Sequence, residues 1–172
     1  ITSASLSAAA GAGKAGNVAV AVNNGMLSLS NGGQITATTV AGEGPDGGDA
    51  DSDADAGSVS VSAKALTLDS GATITAATSG TGNAGNVSVN GDTVTVMGTD
   101  SVTPDAQQTA ISSASAAVGA NAGKAGNVTV NVGSLALANG GLIAATTVDG
   151  MGSNDNGGAI TLVLARMKFS RS

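Results

Sequence analysis

Four aspartates, Asp49, Asp51, Asp53 and Asp55, alternate within a stretch of Gly, Ala and Ser. Alternating carboxylates can offer several oxygen ligands to a hard cation such as calcium. The rest of a calcium loop is missing. Ala54 or Ala56 stands where the sharp turn needs Gly, and Ser60 or Ser62 where a terminal bidentate Glu belongs. Gly47-Gly48-Asp49 likewise departs from the Gly-Gly-x-Gly-x-Asp calcium repeat. A solvated acidic loop over 42–55 is expected, with no tight calcium site and weak cation contact as the alternative.

Gly11-Ala12-Gly13-Lys14-Ala15-Gly16 satisfies G-x-G-x-x-G, but a phosphate loop needs Ser or Thr after its Lys, where Ala15 stands. The same spacing returns at Gly80-Thr81-Gly82-Asn83-Ala84-Gly85, which marks it as a repeated turn. Asn86-Val87-Ser88 and Asn127-Val128-Thr129 match the N-glycosylation pattern, yet their place at a recurring corner makes coincidence the better account. The chain has no His and no Cys. No nucleophile and base can be paired, so no catalytic, cofactor-binding or metal residue is assigned and no enzyme activity is expected.

These groups are carried by a repeated phrase. Ala125-Gly126-Asn127-Val128-Thr129-Val130 has near copies at Ala15 to Val20, Ala56 to Val61 and Ala84 to Val89. Each copy opens with a small-Gly-Asn/Ser turn, continues through Val-x-Val and Leu-x-Leu or Val-x-Val, and ends on Ile-x-Ala or its equivalent. Alternation over so few residues, bounded by Gly, Asn and Ser, predicts strands. Three short strands per unit predict an all-β fold, a right-handed parallel β-helix of about five three-strand coils over 1–164. Inward ladders should then run Val18, Val59, Val87, Val128; Leu27, Leu66, Val94, Leu135; and Ile35, Ile74, Ile111, Ile143, with Ser, Thr and Ala outside.

Gly16, Gly57, Gly85 and Gly126 are expected to supply positive φ at one corner, and Asn17, Asn86 and Asn127 to stack as an amide ladder with Ser58 as the odd rung. Residues 1–22 match 111–132, after which a two-residue contraction precedes the match of Asn31 to Val40 with Asn139 to Val148. Insertions are expected at 42–55 and 97–110, the second containing Pro104. Residues 165–172 hold the only Phe and half of the six cations, and are expected to lie outside the repeat as a dispensable tail.

Composition agrees with thin stacked layers: among 172 residues there are 27 Gly, one Phe, and no Trp or Tyr. A net charge of −6, with Arg166, Lys168 and Arg171 confined to the last residues, argues against nucleic acid. No apolar run is long enough to span a membrane as a helix, and the chain reads as an interior piece of a longer protein.

Phrases such as Ala84-Gly85-Asn86-Val87-Ser88-Val89 and Asn139-Gly140-Gly141-Leu142-Ile143-Ala144-Ala145-Thr146-Thr147 resemble the repeat region of filamentous-haemagglutinin-type exoproteins of bacterial two-partner secretion. The resemblance covers about 1–164 and implies a secreted surface adhesin exported through an outer-membrane transporter. Its implied partners are a host or neighbouring cell surface or an extracellular polysaccharide. Ice or other surface binding, and polysaccharide processing, are the alternatives. The broken Thr-x-Thr array at Thr36/Thr38, Thr75/Ala77, Ser112/Ala114 and Ala144/Thr146 disfavours the first, and the missing acid/base set the second.

Overall fold

A computed structural model describes residues 1–7, 13–41, 54–98, 108–116, 123–147 and 157–170. The regular structure of these residues is entirely β. Ten strands follow in order: β1 (Thr2–Ser7), β2 (Val18–Leu29), β3 (Gln34–Ala41), β4 (Val59–Asp69), β5 (Thr73–Thr78), β6 (Val87–Met97), β7 (Ala110–Ser115), β8 (Val128–Ala138), β9 (Leu142–Thr147) and β10 (Ile160–Ser170). They form two five-stranded sheets, ordered β1-β3-β5-β7-β9 and β10-β8-β6-β4-β2. Every pairing is parallel, and successive strands alternate between the sheets. The arrangement is not a closed barrel and is consistent with a β-helix or other solenoid.

The apolar ladders fall in register. Val18 pairs with Val59, Val59 with Val87 and Val87 with Val128, while Leu27, Leu66, Val94 and Leu135 form the second ladder. Ile35, Ile74, Ile111 and Ile143 form the third. Most of these side chains are fully buried in one core cluster, at a gain of about 1.5–3 kcal/mol per large aliphatic side chain.

The first two of the three expected strands run together as one element. Along β4, Val59, Val61 and Ala63 are buried, Lys64 is exposed and Ala65 half-buried, and Leu66 and Leu68 are buried again. Strict alternation would turn Leu66 outward if Val59 faced inward, because the two lie seven residues apart. Two successive outward residues at 64 and 65 invert the alternation without ending the strand.

Residues 165–170 do not leave the repeat. Within β10, Leu162 and Leu164 sit opposite Val130 and Val132, and Met167 and Phe169 opposite Leu135 and Leu137. Ala165 and Arg166 are exposed and occupy the same inversion. The tail departs in residue type while keeping the pattern of sides. The ends of the expected 97–110 insertion also belong to strands, Met97 to β6 and Ala110 to β7.

The outer faces are not the sole home of the hydroxyls. Thr39, Thr78, Ser113 and Ser115 are buried, although Ser and Thr were expected outside. Thr39, Thr78, Ser115 and Thr147 stack in register beside the ladder Ala37, Ala76, Ser113 and Ala145.

Candidate functional site

The polar groups of the repeat gather at two corners. The first lies before β2, β4, β6, β8 and β10, where Gly16, Gly57, Gly85, Gly126 and Gly158 stack. None of these five has positive φ; among the described glycines that conformation belongs to Gly32, Gly71 and Gly140. Their requirement is closeness of backbones. A Cβ on Gly57 would lie 2.6 Å from the carbonyl carbon of Gly16, and one on Gly85 or Gly126 would lie 2.5 Å from that of the preceding glycine.

The expected amide ladder is present in altered form. Asn17 Oδ1 accepts from the Ser58 backbone N–H at 2.8 Å, Ser58 Oγ from Asn86 N–H at 3.2 Å, and Asn86 Oδ1 from Asn127 N–H at 2.8 Å. Asn127 Oδ1 then accepts from Ala159 N–H at 2.9 Å. Each side chain thus supplies an acceptor to the backbone of the next layer, instead of bonding the next side chain. Ser58 serves because it too has an oxygen. Both sequon asparagines are occupied in this way.

A second rail runs three residues earlier in each copy. Asp55 Oδ2 accepts from Lys14 Nζ at 2.6 Å, and Asp55 Oδ1 from the Asn83 backbone N–H at 2.8 Å and from Asn83 Nδ2 at 3.2 Å. Asn83 Oδ1 accepts in turn from Lys124 N–H at 3.0 Å. The Lys14 hydrogen bond, followed by the Asn83 backbone N–H, holds the Asp55 carboxyl below its ordinary 3.8, against a smaller desolvation effect. Lys14 is 71% exposed, so the ion pair itself contributes little, about 0–1 kcal/mol. The rail joins layers and does not assemble reactants.

Of the four alternating aspartates, Asp49, Asp51 and Asp53 lie outside the described residues, and so does most of the expected 42–55 loop. Asp55 is committed to Lys14 and Asn83. Among the described residues no group of three or more potential acidic, His or Cys ligands gathers to hold a metal ion. Lys14 and Gly16 lead into strand β2, so the G-x-G-x-x-G pattern opens no helix here.

The second corner carries the positive φ. Asn31-Gly32, Ser70-Gly71 and Asn139-Gly140 each place two consecutive residues in the left-handed region. Each turn is closed by a backbone bond: Gly33 to Ser30 at 3.0 Å, Ala72 to Asp69 at 3.0 Å, and Gly141 to Ala138 at 2.9 Å. The buried hydroxyls also serve backbone groups. Thr109 Oγ1 accepts from Gly71 N–H at 2.9 Å, and Ser113 Oγ donates to Gly85 O at 2.9 Å while accepting from Gly126 N–H at 2.8 Å. On the outer face Thr36 donates to Thr2 Oγ1 at 3.2 Å, and the Thr75 and Ser112 hydroxyls pair at 3.1 Å.

Chemically, these groups hold layers together. A surface depression at the strand inversion, bordered by Asn24, Ser62, Lys64 and Asp92, brings charged groups of different strands together. Sequence reasoning missed the 14–55–83–124 rail because its members differ in type, Lys, Asp, Asn, Lys. Their constant position three residues before each corner Asn or Ser was the available signal. Among the described residues no helix is long and apolar enough to cross a membrane. Comparison with protein-family models, curated proteins and solved structures returns no match.

Proposed function

We propose that this chain is a shaft segment of a secreted bacterial surface adhesin of the filamentous-haemagglutinin type, wound as a right-handed parallel β-helix with three faces to each coil. The observation that carries this proposal is the assignment of side chains to sides. The in-register ladders draw the Val, Leu and Ile of the central layers inward. Outside these central layers remain chiefly Ser, Thr, Asn and Ala. The exposed aromatic and Arg side chains among the described residues, Phe169 and Arg166, are confined to the terminal strand β10, so the anchors that dominate strong interfaces are missing from the central layers. Such a surface suits a spacer that presents binding regions carried elsewhere in the same protein.

Export through an outer-membrane transporter, and attachment to a cell surface or an extracellular polysaccharide, follow from the resemblance of the repeats. Contact made by this segment itself is then weak and gains strength from repetition and reach. The test compares cells displaying the full parent protein with cells lacking only residues 15–164. Shortened display with a modest loss of attachment supports a shaft. Full display with attachment abolished would place the adhesive site within these repeats and overturn the proposal.

A further inference from the structure

Five Asn-Gly steps occur in the chain, at Asn24, Asn31, Asn90, Asn139 and Asn156, the last outside the described residues. In such a step the Gly nitrogen can approach the preceding side-chain carbonyl with no Cβ in its way and few backbone restrictions. Whether it does so in a folded chain depends on what holds that nitrogen and the peptide around it.

Three of the four described steps are held. Gly32 N–H donates to Ser70 O at 2.9 Å, and the turn around Asn31 is closed from Gly33 to Ser30 at 3.0 Å. The turn around Asn139 is closed from Gly141 to Ala138 at 2.9 Å. Asn90 lies inside β6, in register with Ser62 on one side and Asn131 on the other, and its Nδ2 donates to Ser88 Oγ at 3.2 Å. Gly91 is in register with Val132.

Asn24 differs. Three residues, Asn23, Asn24 and Gly25, separate Val22 from Met26, whereas Lys64 alone separates their partners Ala63 and Ala65. Asn24 and Gly25 therefore fall in a break of register and have no partner positions in β4. Asn24 is exposed with φ 55°.

We propose that Asn24 is a site of spontaneous deamidation and isomerisation. The Gly25 backbone nitrogen gives its proton to solvent and attacks Asn24 Cγ. The N–Cγ bond forms, the Cγ–Nδ2 bond breaks, and Nδ2 leaves as ammonia after taking up a proton. The product is a five-membered cyclic imide. Water opens it at the Cγ–N bond to give Asp, or at the backbone C–N bond to give isoaspartate. The net change is addition of one water and loss of one ammonia.

The consequence is local and electrostatic. A carboxylate at position 24 enters the depression that Lys64 and Asp92 also border. Isoaspartate lengthens the backbone by one methylene, at a place where β2 already runs two residues longer than β4.

The test incubates the intact chain in mildly alkaline buffer and follows each Asn-Gly step by proteolytic mapping and mass spectrometry, with a urea-unfolded sample in parallel. In the folded chain Asn24 converts about tenfold or more faster than Asn31, Asn90 or Asn139, because those steps need a local opening first. The product gains one mass unit and includes isoaspartate. Asn24→Ser removes that share of the released ammonia while the circular dichroism spectrum stays unchanged. Folded-state conversion at Asn31, Asn90 or Asn139 as fast as at Asn24 overturns the proposal. So does an Asn24 that persists in the folded chain while every step reacts in urea.

Discussion

Gly85→Ala adds one methyl group where no left-handed backbone is present, so a conformational account of this glycine predicts almost no effect. The packing account predicts a large one. The new Cβ would lie 2.5 Å from the Gly57 carbonyl carbon and 2.9 Å from the Ser58 nitrogen, both backbone atoms. Relief requires the corner of β6 to move away from that of β4. The bonds that hold these corners, Ala56 N–H to Asn83 O at 2.8 Å and Val59 N–H to Asn86 O at 2.8 Å, lengthen as it does. Overpacking of this kind costs about 1–3 kcal/mol, and loss of a bond about 1 kcal/mol more. For a chain of this size the total of about 2–4 kcal/mol corresponds to a fall in midpoint of roughly 4–16 °C. Two controls separate the causes. Gly13 has no neighbour within 4 Å of an added Cβ and no positive φ, so Gly13→Ala should be neutral or raise stability by less than about 1 kcal/mol. Gly140 is equally open but has φ 78°, so Gly140→Ala should cost roughly 1–2 kcal/mol from strain alone. The assay is thermal and urea unfolding of the three variants beside the parent chain. A Gly85→Ala curve that overlays Gly13→Ala would refute stacking closeness as the reason for the glycine rail.

Val128 is fully buried between Val87 and Ile160, so Val128→Asp should cost at least about 3 kcal/mol and disrupt its layer, while Thr129→Asp on the opposite side leaves the melt within about 1 kcal/mol. Asn127→Ala removes the acceptor for Ala159 N–H and should speed amide exchange at the start of β10, with a loss of about 1 kcal/mol; unchanged exchange at 159–160 would count against the rail. Because the Asp55 carboxyl is held below 3.8 in the folded chain, its contribution is fully present above that pH and is lost as pH falls through the lower folded value. The effect is small, at most about 1 kcal/mol at this partly exposed pair, and Asp55→Asn should flatten that part of the acid limb. Deleting 165–172 should increase amide exchange along 134–138, since Arg166 to Ser170 pair with that part of β8; full protection after deletion would return the segment to the status of a dispensable tail.

The ladders were legible because an inward Val, Leu or Ile must recur at a fixed place in every copy, and only a few residue types fill it. The inversion at Lys64-Ala65 was legible in principle, since the step from Val59 to Leu66 is odd. It was hidden because an alternation that changes side looks like two strands with a gap. The two-residue contraction between 22 and 31 has its cause in Asn23 to Gly25, which β8 replaces by Gly133 alone. The glycine rail was found for an incorrect reason, because sequence does not separate a glycine needed for positive φ from one needed for contact. The segment 165–170 was misjudged by residue type: Met167 and Phe169 look foreign beside Leu135 and Leu137 until the register places them on the same ladder. The candidate site was barely legible. Its rails depend on which atom of Asn, Ser or Asp meets the next layer's backbone, and side-chain identity alone leaves that open.

The central structural claim is that equivalent positions of successive copies stack in parallel register. Ala19, Ser60, Ser88, Thr129 and Thr161 share one outward ladder, and the chain has no native Cys to interfere with labelling. Nitroxide pairs at Ala19→Cys with Thr129→Cys, and at Ala19→Cys with Thr161→Cys, span three and four layers. Pulsed electron resonance should return narrow distributions whose centres differ by about 4.8 Å, the longer lying near 19 Å plus the reach of the labels. Broad distributions, or a four-layer pair no farther apart than the three-layer pair, would contradict the stacked register on which both the fold and the shaft proposal depend.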